Sequence, residues 1–248
     1  MFLKRIYHRA RGLRWPILYR QPAGVDTVAL TFDDGPSPES TPYILQQLDR
    51  VGGKATFFLS GVRVAAHPGL AREIVAAGHA VYGHGWEHVD HEETGGQAAV
   101  AAMQRVESAL ADLRPTPSPY LIRLPYNAGC QRGWMHRALS EFHPDICFAS
   151  WSFSTRDWVL AQGCESLDAL RKRCGQVARQ VGSLPTLPGS ILLLHEDPFQ
   201  ASGALSAAVA RILLPLLLEQ ITARGCRLEA IRTDGSNIGG DRRRVPGW

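Results

Sequence analysis

The stretch VALTFDDGP, residues 28–36, decides the fold, because a short apolar run ends there in two acidic residues and a turn. Val28–Phe32 has the length and composition of a buried β-strand. Asp33 and Asp34 follow at its carboxyl end, and the glycine and proline after them are a turn signal. The stretch therefore predicts a buried strand that carries two carboxylates at its carboxyl end.

Six more apolar runs of this kind follow along the chain, and helical patterns separate most of them. The runs are Ala55–Leu59, His79–Tyr82, Tyr120–Leu124, Cys147–Phe153, Ser190–Leu194 and Arg227–Ile231. The helical patterns are Pro38–Val51, Pro68–Ala77, Gln97–Leu113, Gly133–Phe142, Leu167–Val181 and Ser206–Arg224. We expect Ser37 to cap the first helix. This alternation predicts an α/β fold with a parallel sheet covered by helices, wound into a barrel or into an open doubly wound sheet.

The composition is that of an ordinary globular protein. The chain has 248 residues, of which 45% are hydrophobic and 20% are charged, and this excludes collagen-like, disordered and disulfide-rich proteins. The five cysteines are odd in number and never form C-x-x-C, so they predict neither a disulfide framework nor a cysteine zinc cluster. The net charge of +4 is too small to favour a nucleic-acid partner, and none is expected.

Basic residues are concentrated at the two ends of the chain. Residues 1–24 contain six lysines and arginines and no acidic residue, and residues 235–248 include the run DRRR. We therefore predict a basic N-terminal extension (1–24), one folded domain (25–234) and a basic C-terminal tail (235–248). The favoured arrangement of the extension is a solvated terminus that folds back on the domain, and the alternative is contact with an anionic membrane surface.

Neither a secretory signal nor a membrane-spanning helix is predicted. The N-terminus lacks a continuous apolar segment followed by a small-residue cleavage site. The longest apolar runs, Ile191–Leu194 and Ile212–Leu218, are far shorter than the roughly 20 residues that a spanning helix needs. With the isolated cysteines, these features predict a cytoplasmic protein whose only membrane contact would be peripheral, through its basic N-terminus.

Side chains that can carry chemistry stand at the carboxyl ends of five predicted strands. They are Asp33, Asp34, His84, His88, Arg123, Asp157 and His195. Ligands bind at this edge of parallel α/β sheets, so we expect these side chains to lie together. Taken singly, each also has an ordinary structural explanation, such as a turn, a surface histidine pair, a buried histidine, a helix cap or an ion pair.

Taken together, these side chains predict metal-assisted hydrolysis of an amide or ester. His84 and His88 are four residues apart, which would place both imidazoles on one side of a helical turn at chelating separation. With one carboxylate they form a three-ligand site with open positions for water and substrate. The adjacent carboxylates are expected to point in different directions, one towards the metal and one towards a proton, and a further histidine supplies an acid.

These residues resemble the five ordered motifs of the polysaccharide deacetylases, carbohydrate esterase family four. The motifs are TFDDG (Thr31–Gly35), H-x-x-x-H (His84–His88), R-x-P-Y (Arg123–Tyr126), D-W (Asp157-Trp158) and LLLH (Leu192–His195). The resemblance extends from about residue 25 to about residue 232. It implies that residues 25–234 are a catalytic domain with the fold of a distorted (β/α)7 barrel, and that this domain binds one divalent metal. Zinc is the default metal, and cobalt, nickel and iron are alternatives.

The resemblance also implies the roles of the reacting groups. Asp33 would be the general base, and Asp34, His84 and His88 would bind the metal. His195 would be the general acid that protonates the leaving amine, because an amine cannot leave unprotonated.

The remaining motif residues are implied to support these groups. Arg123 would orient the base, and Asp157 would hold the acid in the right tautomer. The backbone N–H of Tyr126 would stabilise the oxyanion together with the metal. Trp158 and Leu193 would line the pocket for the acetyl methyl group.

Three positions depart from the family pattern. Gly85 stands where a serine or threonine usually follows the first histidine ligand, and Leu124 replaces a proline. Ser154 stands where an aspartate often precedes the D-W pair. Since Asp157 itself is present, we expect activity to survive these changes.

The implied reaction removes the N-acetyl group of an amino sugar in an oligosaccharide, a polysaccharide or a lipid-linked sugar precursor, releasing acetate and a free amine. An O-acetyl ester or an N-formyl group could replace the N-acetyl group at the same site. Residues 84–88 also spell H-x-x-E-H, a zinc peptidase signature, but Gly83 and Gly85 disfavour the helix that it needs. A non-catalytic carbohydrate-binding relative would lack the base, a ligand or the acid, and none of these is missing here.

Overall fold

The computed structural model describes residues 13, 15–201 and 203–233. The basic residues 1–12, on which the expected membrane contact depends, lie outside the described residues, and so does the predicted tail 235–248. Both expectations therefore stay predictions.

The described residues form nine strands and eight α-helices. The strands are β1 (Ile17–Leu18), β2 (Thr27–Asp33), β3 (Thr56–Leu59), β4 (Ala80–Gly83), β5 (Tyr120–Ile122), β6 (Ile146–Ala149), β7 (Phe153–Ser154), β8 (Ile191–His195) and β9 (Arg227–Leu228). The helices are α1 (Thr41–Arg50), α2 (Gly61–Ala66), α3 (Pro68–Ala76), α4 (His91–Thr94), α5 (Gly96–Leu110), α6 (Gly133–Leu139), α7 (Leu167–Gly182) and α8 (Val209–Ala223).

The strands form two parallel sheets. One has the order β4-β3-β2-β8-β7, with β9 also paired to β2, and the other has the order β1-β6-β5. The sheets meet where β4 lies beside β5. There the rings of Tyr82 and Tyr120 pack edge to face at 5.4 Å, and the Gly83 N–H donates to the Tyr120 hydroxyl at 3.0 Å. All seven residues of β2 are buried, so this strand lies at the centre of the core.

The strand register places the candidate catalytic and metal-binding residues at one level of the sheet. Asp33, the last residue of β2, is the register partner of His195, the last residue of β8. On the other side of β2, the end of β3 pairs with Gly83 at the end of β4, immediately before His84. The carboxyl ends of β2, β4 and β8 therefore deliver acidic and imidazole side chains to the same edge.

Two sequence predictions about strands need correction. The predicted strand Cys147–Phe153 is two strands in different sheets, because the Ser150 N–H donates to Leu18 of β1 at 2.8 Å whereas the Ser152 N–H donates to Ile191 of β8 at 2.9 Å. The predicted extension 1–24 contains β1, whose two buried residues pair with β6. A two-residue apolar pair is too short to be recognised as a strand from the sequence.

The first helix also begins later than the sequence indicates. It starts at Thr41 rather than Pro38, and Ser37 does not cap it. Residues 37–40 form a turn instead, in which the Thr41 N–H donates to the Ser37 carbonyl at 2.8 Å. The Thr41 hydroxyl accepts from the Ser37 N–H at 2.8 Å and donates to Glu196, so this turn is shaped by a contact with the end of β8.

One helical stretch, Ser206–Ala223, is long and apolar enough to cross a membrane by length and composition. Six of its side chains are buried, and it packs against α7 and α1. This packing is that of a core helix, and the expectation that no segment spans a membrane stays a prediction.

Candidate active site

The residues singled out from the sequence meet at one groove of about 1200 Å³ at the carboxyl ends of the strands. The groove is lined by Asp33, Asp34, His84, His88, Tyr126, Trp158, Leu193 and His195. Arg123 and Asp157 are buried and contact two of these groups, Asp33 and His195. The strand ends thus bring all ten predicted residues together.

Asp34, His84 and His88 form a compact set of potential metal ligands. Each offers one atom, and these three atoms lie within 4.8 Å of one another. The Asp34 Oδ1 lies 3.6 Å from His84 Nε2 and 3.4 Å from His88 Nε2. This buried oxygen has no hydrogen-bond partner among the described residues. An orphaned carboxylate oxygen facing two imidazole nitrogens fits a divalent cation such as zinc.

Burial disfavours the charged form of each of these three groups. It lowers the pKa values of His84 and His88, although nearby aspartates oppose this, and it raises the pKa of Asp34. His84 Nδ1 lies 2.8 Å from the Arg123 carbonyl, which can only accept, so Nδ1 carries the proton and Nε2 keeps its lone pair. The imidazoles are therefore favoured in the neutral form that can bind a metal, whereas the buried Asp34 carboxylate needs a positive charge beside it to stay ionised, which a bound cation would supply.

Asp33 is held by a buried arginine. Arg123 Nη1 donates to Asp33 Oδ1 at 2.7 Å, and the arginine is 1% exposed. The same guanidinium donates to the Thr31 hydroxyl at 2.7 Å and to the carbonyls of Ala149 and Ser150 at 2.8 and 3.1 Å. These four bonds fix the guanidinium and, through it, the orientation of the Asp33 carboxylate.

His195 is held by Asp157 through two bonds. Its Nδ1 donates to Asp157 Oδ1 at 2.8 Å, and its backbone N–H donates to Oδ2 at 2.7 Å. Burial alone would lower the pKa of His195, but attraction to Asp157 outweighs it and raises the pKa to about 9. His195 is therefore protonated at neutral pH, and its Nε2 is the nitrogen left free to donate a proton. The Trp158 ring packs edge to face against the imidazole at 5.1 Å.

Tyr126 lies at the turn after β5 with a positive φ of 58°. Its backbone N–H donates to no group among the described residues, which leaves it available to an oxyanion. Its ring packs edge to face on His88 at 4.7 Å.

The departures from the family pattern are accommodated locally. Gly85 has a φ of +77°, a backbone conformation in which a serine or threonine would be strained, and Leu124 is buried in the core. The Ser154 hydroxyl accepts from the Arg156 N–H at 3.3 Å.

The polysaccharide deacetylase family model matches residues 20–138. The chitooligosaccharide deacetylase of Sinorhizobium fredii is 32% identical over 178 residues, which cover 71% of this chain and 75% of that protein. The chain belongs to the polysaccharide deacetylase family.

This family member is also similar to a second curated protein and to a solved structure. It is 29% identical over 185 residues to the peptidoglycan-N-acetylglucosamine deacetylase PgdA of Listeria monocytogenes, and the match covers 75% of this chain but only 35% of PgdA. The structure of the polysaccharide deacetylase Bc1974 from Bacillus cereus has a TM-score of 0.66 at 26% identity, covering 84% of this chain and 93% of that one. The predicted distorted (β/α)7 barrel is confirmed.

The geometry of the H-x-x-E-H segment differs from the sequence expectation. Residues 84–88 form a bend rather than a helical turn, and Glu87 is exposed and does not line the groove. The two histidines meet through this bend and not through helical spacing. A zinc peptidase with this signature needs a regular helix that places the glutamate at the metal. Residues 84–88 of this polysaccharide deacetylase do not have that arrangement.

Sequence reasoning missed two residues that contact the site. Glu196 follows the predicted acid directly, is 3% exposed, and accepts a hydrogen bond from Thr41. Burial raises its pKa to about 8. Phe199 stacks on His88 with ring centroids 5.1 Å apart. The sequence pattern could have pointed to Glu196, because it is an acidic residue at the end of a buried strand. No sequence pattern marks Phe199, which lies in an exposed loop.

Proposed function

We propose that this polysaccharide deacetylase removes the N-acetyl group from an amino sugar in a glycan, releasing acetate and leaving a free amine. The observation that carries the proposal is the pairing of a base and an acid beside one ligand set. Asp33 and His195 are register partners on adjacent strands, and the three potential ligands follow the ends of β2 and β4. Metal dependence, with zinc as the preferred metal, rests on these ligands.

The proposed reaction uses this chain's own groups in order. Asp34, His84 and His88 would hold the cation, which would supply Lewis-acid polarisation of the acetyl carbonyl. Asp33 takes a proton from the attacking water while Arg123 holds the carboxylate in place. The water oxygen bonds to the carbonyl carbon, and the Tyr126 N–H donates to the resulting oxyanion.

His195 completes the reaction. Its Nε2 proton passes to the amide nitrogen as the carbon–nitrogen bond breaks, which leaves a free amine on the sugar and acetic acid, which ionises to acetate by releasing its proton to solvent. Asp157 stabilises the positive imidazole before this transfer, and Trp158 and Leu193 border the space for the methyl group.

The size and lining of the groove support a glycan substrate. Its volume of about 1200 Å³ exceeds the roughly 300–1000 Å³ of an ordinary small-molecule pocket. Aromatic side chains and amides line it together, among them Trp151, Asn127 and Gln131. Relatives named for chitooligosaccharides and for peptidoglycan N-acetylglucosamine make N-acetylglucosamine glycans the first substrates to test.

The test is mass spectrometry of acetylated glycans incubated with the zinc-loaded protein. The panel contains chitooligosaccharides, peptidoglycan fragments, an O-acetylated sugar and a lipid-linked N-acetyl sugar. We expect the mass loss of one acetyl group exchanged for hydrogen on the N-acetyl substrates. Asp33→Asn should abolish this loss but keep zinc, whereas His84→Ala should lose both. Glycan binding without any mass loss would contradict the proposal and support a carbohydrate-binding role.

A further inference from the structure

The two histidines of the ligand set are oriented in different ways. The Nδ1 of His84 is fixed by the Arg123 carbonyl at 2.8 Å. In the part of the chain that the structure describes, the ring of His88 has no hydrogen bond to its Nδ1. Metal-binding histidines normally donate this second N–H to an oxygen, which fixes the ring. No acceptor among the described residues therefore sets the orientation of His88.

Aromatic rings confine His88 instead. The Phe199 ring stacks on it at a centroid distance of 5.1 Å with an interplanar angle of 26°. The Tyr126 ring meets it edge to face at 4.7 Å and 61°. Two rings packed against an imidazole in these geometries restrict its rotation without a hydrogen bond.

The Phe199 ring is itself held in place from the ligand side. The Phe199 N–H donates to Asp34 Oδ2 at 3.3 Å, so its main chain is bonded to another member of the ligand set. The Arg63 guanidinium lies 4.0 Å from the Phe199 ring centroid. Arg63 also donates to the Asp34 carbonyl at 3.1 Å and to the Asp197 carbonyl at 2.6 Å. The loop after β8 is thus bonded to the turn after β2.

Core packing does not account for this placement of Phe199. The side chain is 41% exposed, one of few large apolar side chains with that exposure in the described residues. A half-exposed phenyl ring contributes little to the core, so its stacking on a potential ligand calls for a local explanation.

We propose that Phe199 is a positioning residue that holds the His88 imidazole in its ligating orientation by stacking, and so sets the affinity of the site for its metal. The inference rests on the proposed metal site and deepens it. It assigns to the loop between β8 and α8 a part in metal binding that the motif residues alone do not show. The Asp34 bond comes from the main chain, so a side-chain substitution tests the ring alone.

The experiment compares zinc affinity, measured by competition with a chromophoric chelator, in four proteins. These are the wild type, Phe199→Ala, Phe199→Trp and the control Leu167→Ala, which removes a side chain of similar exposure (43%) at the start of α7, away from the groove. We expect Phe199→Ala to bind zinc about tenfold more weakly, as for the loss of other groups that orient a metal ligand. Phe199→Trp keeps an aromatic ring at this position and should bind zinc as tightly as the wild type. Leu167→Ala should leave the zinc affinity unchanged.

A structural role would give a different pattern. It would lower the melting temperature of the metal-free Phe199→Ala protein without changing zinc affinity, whereas the inference predicts an unchanged melting temperature. Zinc binding by Phe199→Ala as tight as in the wild type would overturn the inference, and so would equal weakening in the alanine and tryptophan variants. A wild type that binds no zinc would overturn the proposed metal site itself, so the two failures are distinguishable.

Discussion

Asp157→Asn offers a direct test of how the structure controls the proton on His195. The substitution keeps the size of the side chain and an oxygen that can accept from the His195 Nδ1, which lies 2.8 Å from Asp157 Oδ1. An NH2 group replaces the Oδ2 that accepts from the His195 backbone N–H, and the loss of that bond adds a cost that does not depend on pH. It removes the negative charge that raises the pKa of His195 against the opposing effect of burial. Burial is unchanged in the variant and only the weaker attraction to Asp33 and Asp34 remains, so the pKa should fall well below about 9.

The size of the effect follows from the two pKa values. The difference between about 9 in the folded protein and 6.5 for a free histidine corresponds to about 3 kcal/mol in favour of the imidazolium. Because the folded pKa is the higher one, this stabilisation is fully present below pH 6.5 and is lost as the pH rises through about 9. In Asp157→Asn this loss should be much smaller, because the largest favourable charge is gone.

Two measurements check the reasoning. NMR titration of the metal-free protein should show His195 titrating near 9 in the wild type and at a clearly lower pH in Asp157→Asn. Urea unfolding at several pH values should show the difference in unfolding free energy between the two proteins shrinking from pH 6.5 to about 9. The difference is the informative quantity, because Glu196 also titrates in this range. A His195 that still titrates near 9 in the variant would refute the assignment.

Two further predictions concern the contact between Gly35 and Glu196. Gly35→Ala should destabilise the protein by about 1–3 kcal/mol in urea unfolding, because the added Cβ would overlap the Glu196 carboxyl. Most of this cost should vanish in a Glu196→Ala background, and equal costs in both backgrounds would show that the overlap is not the cause. Glu196→Gln should match the wild type in unfolding free energy near pH 4.5 and exceed it above pH 8, since the raised pKa makes the wild type lose stability as the pH rises through about 8. Parallel pH profiles of the two proteins would contradict the buried carboxyl as the source of that loss.

Much of the fold could be predicted because buried parallel strands are continuous apolar runs. Val28–Phe32 and Ser190–Leu194 lie within one residue of β2 and β8, the two strands at the centre of the larger sheet. The candidate site could be predicted for the same reason, since polar residues directly after such runs must lie at one edge. Where the apolar run was not itself one strand, as in Cys147–Phe153, prediction failed, because which sheet a residue joins depends on distant partners.

The contacts that refine the site were out of reach for a physical reason. Glu196 meets Thr41 across 155 residues of sequence, and Phe199 meets Asp34 across 165. Neither pair has a local pattern, and no periodicity links a loop residue to a strand end. The motif residues indicate the candidate reacting groups, whereas the loop residues that contact them become visible only when the loops are placed.

The turn at Asp34 explains how two neighbouring carboxylates serve one groove. Successive side chains of a strand point to opposite faces, so Asp33 and Asp34 were expected to diverge. Both line the groove, because Asp34 has a φ of 73° and leaves the strand conformation. Among the described non-glycine residues, positive φ occurs only here and after β5 and β7, at Tyr126, Asn127 and Arg156.

A left-handed backbone conformation costs an ordinary L-residue about 1–2 kcal/mol. The residues that carry this cost lie at strand ends that border the groove. At Asp34 it is offset by bonds from outside the strand. Arg63 donates to the Asp34 carbonyl, the Phe199 N–H to its carboxylate, and the Ser60 N–H to the Gly35 carbonyl at 2.8 Å. The loops that contact the potential ligands are therefore also the loops that hold the strained turn. A substitution that removes one of these bonds should change the geometry of the ligand set more than the packing of the core.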